Sequence, residues 1–309
     1  MHRVKNTVSF GEEIMKIGVI GVGVMGFNMT KALVEAKYEV FVHDIDNKKV
    51  VRAEGVGAKV AGSPKKSAEI TDISLLSLPK SEDVELVVCG QEGILSGAKK
   101  GHIIVDLSTV DSFSTRRNAE RTRRNGVGYL DAPVLGRPQA CGKWTLPVGG
   151  EKDDLERVRE ILEVVASKVV HVGPSGSGNT IKLLNNLMFG VINMISVEIL
   201  ALCAKLGMDP AVFHETIAKS GAASVSNLFV EIGPKVLARD FKPVFSIELL
   251  HKDMELGIQM AKKAGVPIFV APAAQTLNEI AKSKGLGKED TAAAVKIYEE
   301  FFGIQVKSG

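Results

Sequence analysis

The sequence predicts an α/β protein: a doubly wound parallel sheet, then an all-helical C-terminal domain, the two joined by a long interdomain helix. Three observations carry this reading. Short β-branched runs alternate with helix-patterned segments from Lys16 to about Val172. A glycine-rich linker follows, Gly173-Pro174-Ser175-Gly176-Ser177-Gly178. Beyond it the apolar pattern takes a helical period and no strand-like run recurs.

The first apolar run, 17–20, leads into Gly21-Val22-Gly23-Val24-Met25-Gly26. A helical pattern continues to Ala36, a second apolar run covers 40–42, and Asp44 stands at its end. This is a βαβ unit with the spacing of a dinucleotide fingerprint, so the sheet is expected to be of Rossmann type. Gly21 permits the tight turn, Gly23 lets the backbone approach a pyrophosphate, and Gly26 lets the helix pack closely on the strand. The helix opening at Val24 and Met25 offers free N–H groups and a positive dipole end to that pyrophosphate. Asp44 can accept the ribose hydroxyls of NAD, and its charge repels a 2′-phosphate, so NAD(H) is expected in preference to NADP(H). A flavin is the rival ligand for the same unit.

The remaining apolar runs are 73–78, 103–107, 127–130, 146–148 and 169–172, with helical patterns at 82–89, 112–125 and 153–166 between them. Open α/β sheets bind ligands at the carboxyl ends of their strands. Those ends carry Leu78-Pro79, Asp106-Leu107-Ser108-Thr109 and Asp131-Ala132-Pro133-Val134-Leu135-Gly136-Arg137.

A long apolar helix is expected from about Asn179 to Leu206, followed by helical segments at 210–220, 226–238, 246–264, 272–284 and 289–302. Lys182, Asn185, Asn186, Phe189 and Asn193 share one stripe of that helix. Two readings stand: an interhelical polar network that fixes packing, or a cleft-facing stripe in which Lys182 donates a proton and an Asn holds the substrate. The polar interruptions favour a buried interdomain or interface helix over a membrane segment, and no run is expected to reach the roughly 18 residues of a span. The expected domains are an N-terminal extension at 1–14, an NAD-binding domain at 15–177, and a helical substrate and oligomerisation domain at 178–309.

Composition excludes several classes. At 309 residues, 45% hydrophobic and 24% charged, the chain can bury a large core without disulfides. A net charge of +3 leaves no nucleic-acid footprint, and the arginine cluster at 116–124 reads as a solvated helix face. Cys89, Cys141 and Cys203 are odd in number and widely spaced, which argues against disulfides and metal ligation and for a cytoplasmic protein. Residues 1–14 lack the apolar core of a secretory signal, and Glu12 and Glu13 argue against a transit peptide.

From Met15 to about Gly303 the chain resembles the β-hydroxyacid dehydrogenases, the family of 3-hydroxyisobutyrate dehydrogenase and tartronate semialdehyde reductase. The resemblance rests on GVGVMG at 21–26, DAPVLGR at 131–137, GSGNTIKLLNN at 176–186 and HKDMELG at 251–257. It implies NAD-dependent interconversion of a small hydroxy acid and its semialdehyde or keto acid. It further implies Lys182 as the catalytic lysine, Asn186 as a substrate-side asparagine, and Lys252 and Asp253 near cofactor and substrate. Leu78, Pro79 and Thr109 match cofactor-contacting strand ends. Ile45 stands where NADP users of this family place Arg. The family's DAPVSGG binds the substrate carboxylate. Here Leu135 replaces the Ser and Arg137 the second Gly, around Gly136, so a hydroxyl contact is lost and a guanidinium gained. A small anionic substrate and a homo-oligomer, dimer or tetramer, are expected, with no nucleic-acid, membrane or metal partner. Imine reductases share the architecture, as would a non-enzymatic NAD-binding scaffold.

Overall fold

The computed structural model describes residues 15–221 and 224–307, so the expected extension at 1–14 lies outside the described residues. The first part runs β1 (Lys16–Ile20), α1 (Val24–Glu35), β2 (Glu39–His43), α2 (Asn47–Glu54), β3 (Lys59–Val60), α3 (Pro64–Ile70), β4 (Ile73–Leu76), α4 (Ser81–Cys89), β5 (Ile103–Asp106), α5 (Ser112–Arg124), β6 (Gly128–Asp131), β7 (Trp144–Gly149), α6 (Lys152–Val165) and β8 (Ala166–Gly173). The second runs α7 (Ser177–Lys205), α8 (Pro210–Ala218), α9 (Asn227–Leu237), α10 (Ile247–Lys263), α11 (Val270–Ser283) and α12 (Val295–Phe302).

The described strands form one sheet in the order β3-β2-β1-β4-β5-β6-β7-β8. Strand order reverses between β1 and β4, the switch point at which such sheets bind ligands. There the Gly21 N–H donates to the His43 carbonyl (2.8 Å) and the Ser77 N–H to that of Ile20 (2.9 Å).

The sheet departs from the expected all-parallel form at one place: β7 runs antiparallel to β6. A parallel return needs a crossover of a dozen or more residues, usually helical. The β6–β7 connection holds only a 3₁₀ turn at Pro138–Ala140, so the chain doubles back directly. The α6 crossover then makes β8 parallel to β7. Helices α2 and α3 and strand β3 add to the expected elements. Only Val50 and Ala53 of α2 are buried, and the two residues of β3 are exposed, so neither writes an apolar period.

Contacts divide the chain into two units. One holds the chain up to Ser108 together with Phe113–Gly178; the other holds Thr109–Ser112 together with the residues from Asn179 on. The core of the first gathers Ile17, Val42, Leu75, Val105, Leu146 and Leu162, all fully buried. Helix α7 supplies Met194, Val197, Leu200 and Ala201 to the core of the second. It also corrects one expectation: α7 is long and apolar enough to cross a membrane, with mean hydropathy 2.1 over 18 residues. Its scattered polar residues interrupt the apolar run locally, but the apolar residues between them keep the average at that of a span. Helices α7 and α10 approach closely because a Cβ at Gly190 would lie 2.1 Å from the Met254 sulfur, and one at Gly257 2.8 Å from Leu187.

His102 sits buried at the start of β5. Its Nδ1 lies 3.2 Å from the Thr71 carbonyl and its Nε2 2.9 Å from the Ser74 hydroxyl. In the neutral ring that burial favours, donation from Nδ1 and acceptance at Nε2 satisfy both. Burial pushes its pKa down to about 4, opposed by the Thr71 carbonyl and Asp72. The unfolded ring therefore binds the proton first as pH falls. The contribution of His102 to stability is complete above about pH 6.5 and is lost progressively down to about pH 4, by about 3 kcal/mol. Urea midpoints measured across this window should fall for the wild type and flatten for His102→Gln.

Candidate active site

The fingerprint glycines divide into two kinds. A Cβ at Gly21 would lie 2.3 Å from the Ser77 carbonyl oxygen, and Gly21 has φ +88°, a turn that favours glycine. A Cβ at Gly26 would lie 1.9 Å from the Gly21 carbonyl oxygen, so α1 rests directly on the turn. A Cβ at Gly23 would meet nothing within 4 Å. Gly23 is also the N-cap of α1, with no side chain accepting from the first turn. Open space beside uncapped N–H groups fits a pyrophosphate.

Asp44 does more than its position suggests. Its Oδ2 accepts from the Val22 N–H and its Oδ1 from the Asp46 N–H, both at 2.9 Å. The Lys49 ammonium lies 3.6 Å from Oδ1. The carboxylate thus staples the glycine loop to the end of β2. Two of its roughly four acceptor positions are used, and the rest suit ribose hydroxyls.

At the exit of β4 the Leu78 N–H donates to the Ser108 hydroxyl (2.9 Å), with Pro79 exposed beside it. The Ser108 N–H in turn donates to Asp106 Oδ1, and the Tyr129 hydroxyl to Oδ2, each at 2.9 Å. Burial raises the Asp106 pKa, while the Ser108 and Tyr129 hydrogen bonds oppose the rise. The strand end is legible in the sequence, but Ser108 as the tie between two exits is not, since residues 78 and 108 share no local pattern.

Leu135 and Thr145 exchange backbone hydrogen bonds of 3.0 and 3.1 Å, which places the DAPVLGR segment along β7. Gly136 is exposed and Arg137 half-buried. Asp131, wholly buried, accepts from the Gly176 N–H at 2.7 Å and so holds the turn that launches α7.

The second unit gathers another group. The Lys252 ammonium donates to the Thr109 carbonyl (2.9 Å) and pairs with Asp253 Oδ1 (2.9 Å). Asp253 Oδ2 accepts from Asn186 Nδ2 at 2.6 Å, and Asn186 Oδ1 accepts from Asn185 Nδ2 at 3.0 Å. Lys182 is half-buried one helical turn before Asn186. Asn193 donates to the Thr291 carbonyl at 3.1 Å. The polar stripe is thus partly an interhelical network, through Asn186 and Asn193. Among the described residues no group of His, Cys, Asp or Glu is arranged to hold a metal.

Residues 16–173 match the family model of the NAD binding domain of 6-phosphogluconate dehydrogenase, and residues 176–298 that of the NAD-binding domain of NADP-dependent 3-hydroxyisobutyrate dehydrogenase. The chain belongs to the 3-hydroxyisobutyrate dehydrogenase family of β-hydroxyacid dehydrogenases. It is 34% identical to 2-(hydroxymethyl)glutarate dehydrogenase of Eubacterium barkeri, over 96% of this chain and 99% of that one. It is 29% identical to 3-sulfolactaldehyde reductase of Escherichia coli, over 94% and 98%. The solved structure of 3-hydroxyisobutyrate dehydrogenase from Mycobacterium tuberculosis with L-serine superposes with a TM-score of 0.84 at 26% identity, covering 92% of this chain and 99% of that one. This β-hydroxyacid dehydrogenase is therefore an oxidoreductase with an NAD(P)-binding domain, of a family that acts on small hydroxy acids.

Proposed function

We propose that this dehydrogenase interconverts a small hydroxy acid and its semialdehyde using NAD(H), and that the substrate carries an acid group remote from the reacting carbon. The observation that carries the reading is Arg137, a forked, permanently charged donor in the segment where the family binds carboxylate. Two relatives support it by their substrates: 2-(hydroxymethyl)glutarate is a dicarboxylate, and 3-sulfolactaldehyde carries a sulfonate.

In this reading Gly21, Gly23, Val24, Met25 and Gly26 hold the pyrophosphate, Asp44 the ribose, and Leu78, Pro79, Thr109, Lys252 and Asp253 the rest of the cofactor. The bound nicotinamide supplies or accepts the hydride. The Lys182 ammonium gives its proton to the oxygen that becomes the hydroxyl; in the oxidative direction the neutral amine takes that proton back. Asn186, its amide oriented by Asp253 and Asn185, holds the substrate beside Lys182, with Lys252 assisting. Leu135, Gly136 and Arg137 take the acid group. The lysine argues against imine reduction. The reading includes a cytoplasmic homo-oligomer; exposed Leu184, Met188, Ile195 and Leu202 along α7 support the oligomer.

The test is turnover with NADH over glyoxylate, succinic semialdehyde, methylmalonate semialdehyde, tartronate semialdehyde and a sulfonated aldehyde. Succinic semialdehyde and the sulfonated aldehyde should give higher kcat/KM than glyoxylate. Equal efficiency across the panel would sink the remote-acid reading. For the cofactor, NADH should exceed NADPH in kcat/KM by at least about 10-fold, since about 1.4 kcal/mol of charge repulsion suffices. Asp44→Asn with Ile45→Arg should reverse the order, whereas equal use of both cofactors by the wild type would refute the assignment.

A further inference from the structure

We infer that Trp144 is a positioning residue for substrate selection, acting through the backbone of Arg137. The inference rests on the proposed role of Arg137. Trp144 is the sole tryptophan of the chain and is 1% exposed. A buried indole N–H requires an acceptor. Here it donates to the Arg137 carbonyl at 2.8 Å, in a segment seven residues upstream that belongs to no regular strand.

Three successive residues of that segment are held by three different contacts. Leu135 is locked to Thr145 by the paired backbone hydrogen bonds. Gly136 lies flat on the indole: a Cβ there would come within 2.5 Å of Trp144 Cδ1. Arg137 is held by its carbonyl. The indole is anchored in turn, because Trp144 opens β7 within the apolar core of its unit.

A long cationic side chain loses much rotamer freedom when it grips a ligand. Fixing its root sets where the guanidinium can reach and removes the backbone share of that loss. A site placed on an irregular segment needs such support from a rigid element. Trp144 supplies it without touching the substrate.

The experiment compares Trp144→Phe, Gly136→Ala and Arg137→Ala with wild type, using NADH with succinic semialdehyde and with butanal, an uncharged aldehyde of similar size. The readout is the ratio of the two kcat/KM values. Phe keeps an aromatic ring but not the N–H, and this ratio should fall by about 5–10-fold, the scale of one hydrogen bond. Gly136→Ala keeps Trp144 itself, forces the segment and the indole apart and should lower the ratio likewise, so the outcome does not depend on how well Trp144→Phe folds. KM for NADH should stay within about twofold in both, since one lost hydrogen bond away from the cofactor has no larger reach. Titration of the wild type with succinate should change the single-tryptophan emission saturably, and Arg137→Ala should abolish that change. If Arg137→Ala lowers the ratio while Trp144→Phe and Gly136→Ala leave it unchanged, the positioning role is overturned and the role of Arg137 stands. If Arg137→Ala leaves the ratio unchanged, the remote-acid reading fails and this inference with it.

Discussion

Lys182→Met should lower kcat by about 10²–10⁴-fold, the usual worth of a positioned general acid, with NADH binding retained. Lys182 stands half-buried on α7, one turn from an Asn186 amide whose two ends are held by Asp253 and Asn185. Methionine keeps most of the length and the apolar stem of lysine and removes the ammonium that carries the transferable proton. Stopped-flow oxidation of NADH with the best aldehyde of the panel reads the loss, and a fluorescence titration reads NADH binding. The competing role, a link in the α7–α10 polar network, predicts a lower Tm with kcat kept in the folded fraction. A mutant retaining more than about a tenth of wild-type kcat exceeds what loss of a general acid allows.

The three fingerprint glycines give the second large effect, because the structure separates cradle from scaffold. Gly23→Ala adds a methyl into open space, so the protein should fold with stability within about 1 kcal/mol of wild type, the cost of a poorer N-cap. KM for NADH should rise at least about 10-fold, since the methyl occupies the approach to the pyrophosphate. Gly26→Ala drives a Cβ to 1.9 Å from the Gly21 carbonyl oxygen, and backbone on both sides cannot yield cheaply. That variant should lose about 1–3 kcal/mol or more of stability as well as NADH binding. Thermal melts paired with NADH titrations separate the two. Wild-type NADH affinity in Gly23→Ala would show that the open space is not the cofactor's.

How much was legible follows from the range of each interaction. The glycine turn, β1, α1 and β2 are local: their spacing and apolar periods lie within 28 residues, and the structure matches them. Long helices were equally legible, because a 3.6-residue period repeats several times along α6, α7 or α10. The short α2, β3 and α3 were not, since α2 buries only two residues and β3 has no interior to pattern.

By itself the sequence determined the class of fold, the family, and which residue types stand at each strand end. Tertiary structure alone decided the rest. It reversed β7, because the β6–β7 link is too short in helix to cross over. It gave Asp44 a second duty on the Val22 N–H and bound Leu78 to Ser108 across 30 residues. It joined Asn186 to Asp253 across 67, and set the lone tryptophan beneath Arg137. The physical reason is common to the four hydrogen bonds: a buried polar group must find a partner, and it finds one by proximity in the folded chain, which no local pattern encodes.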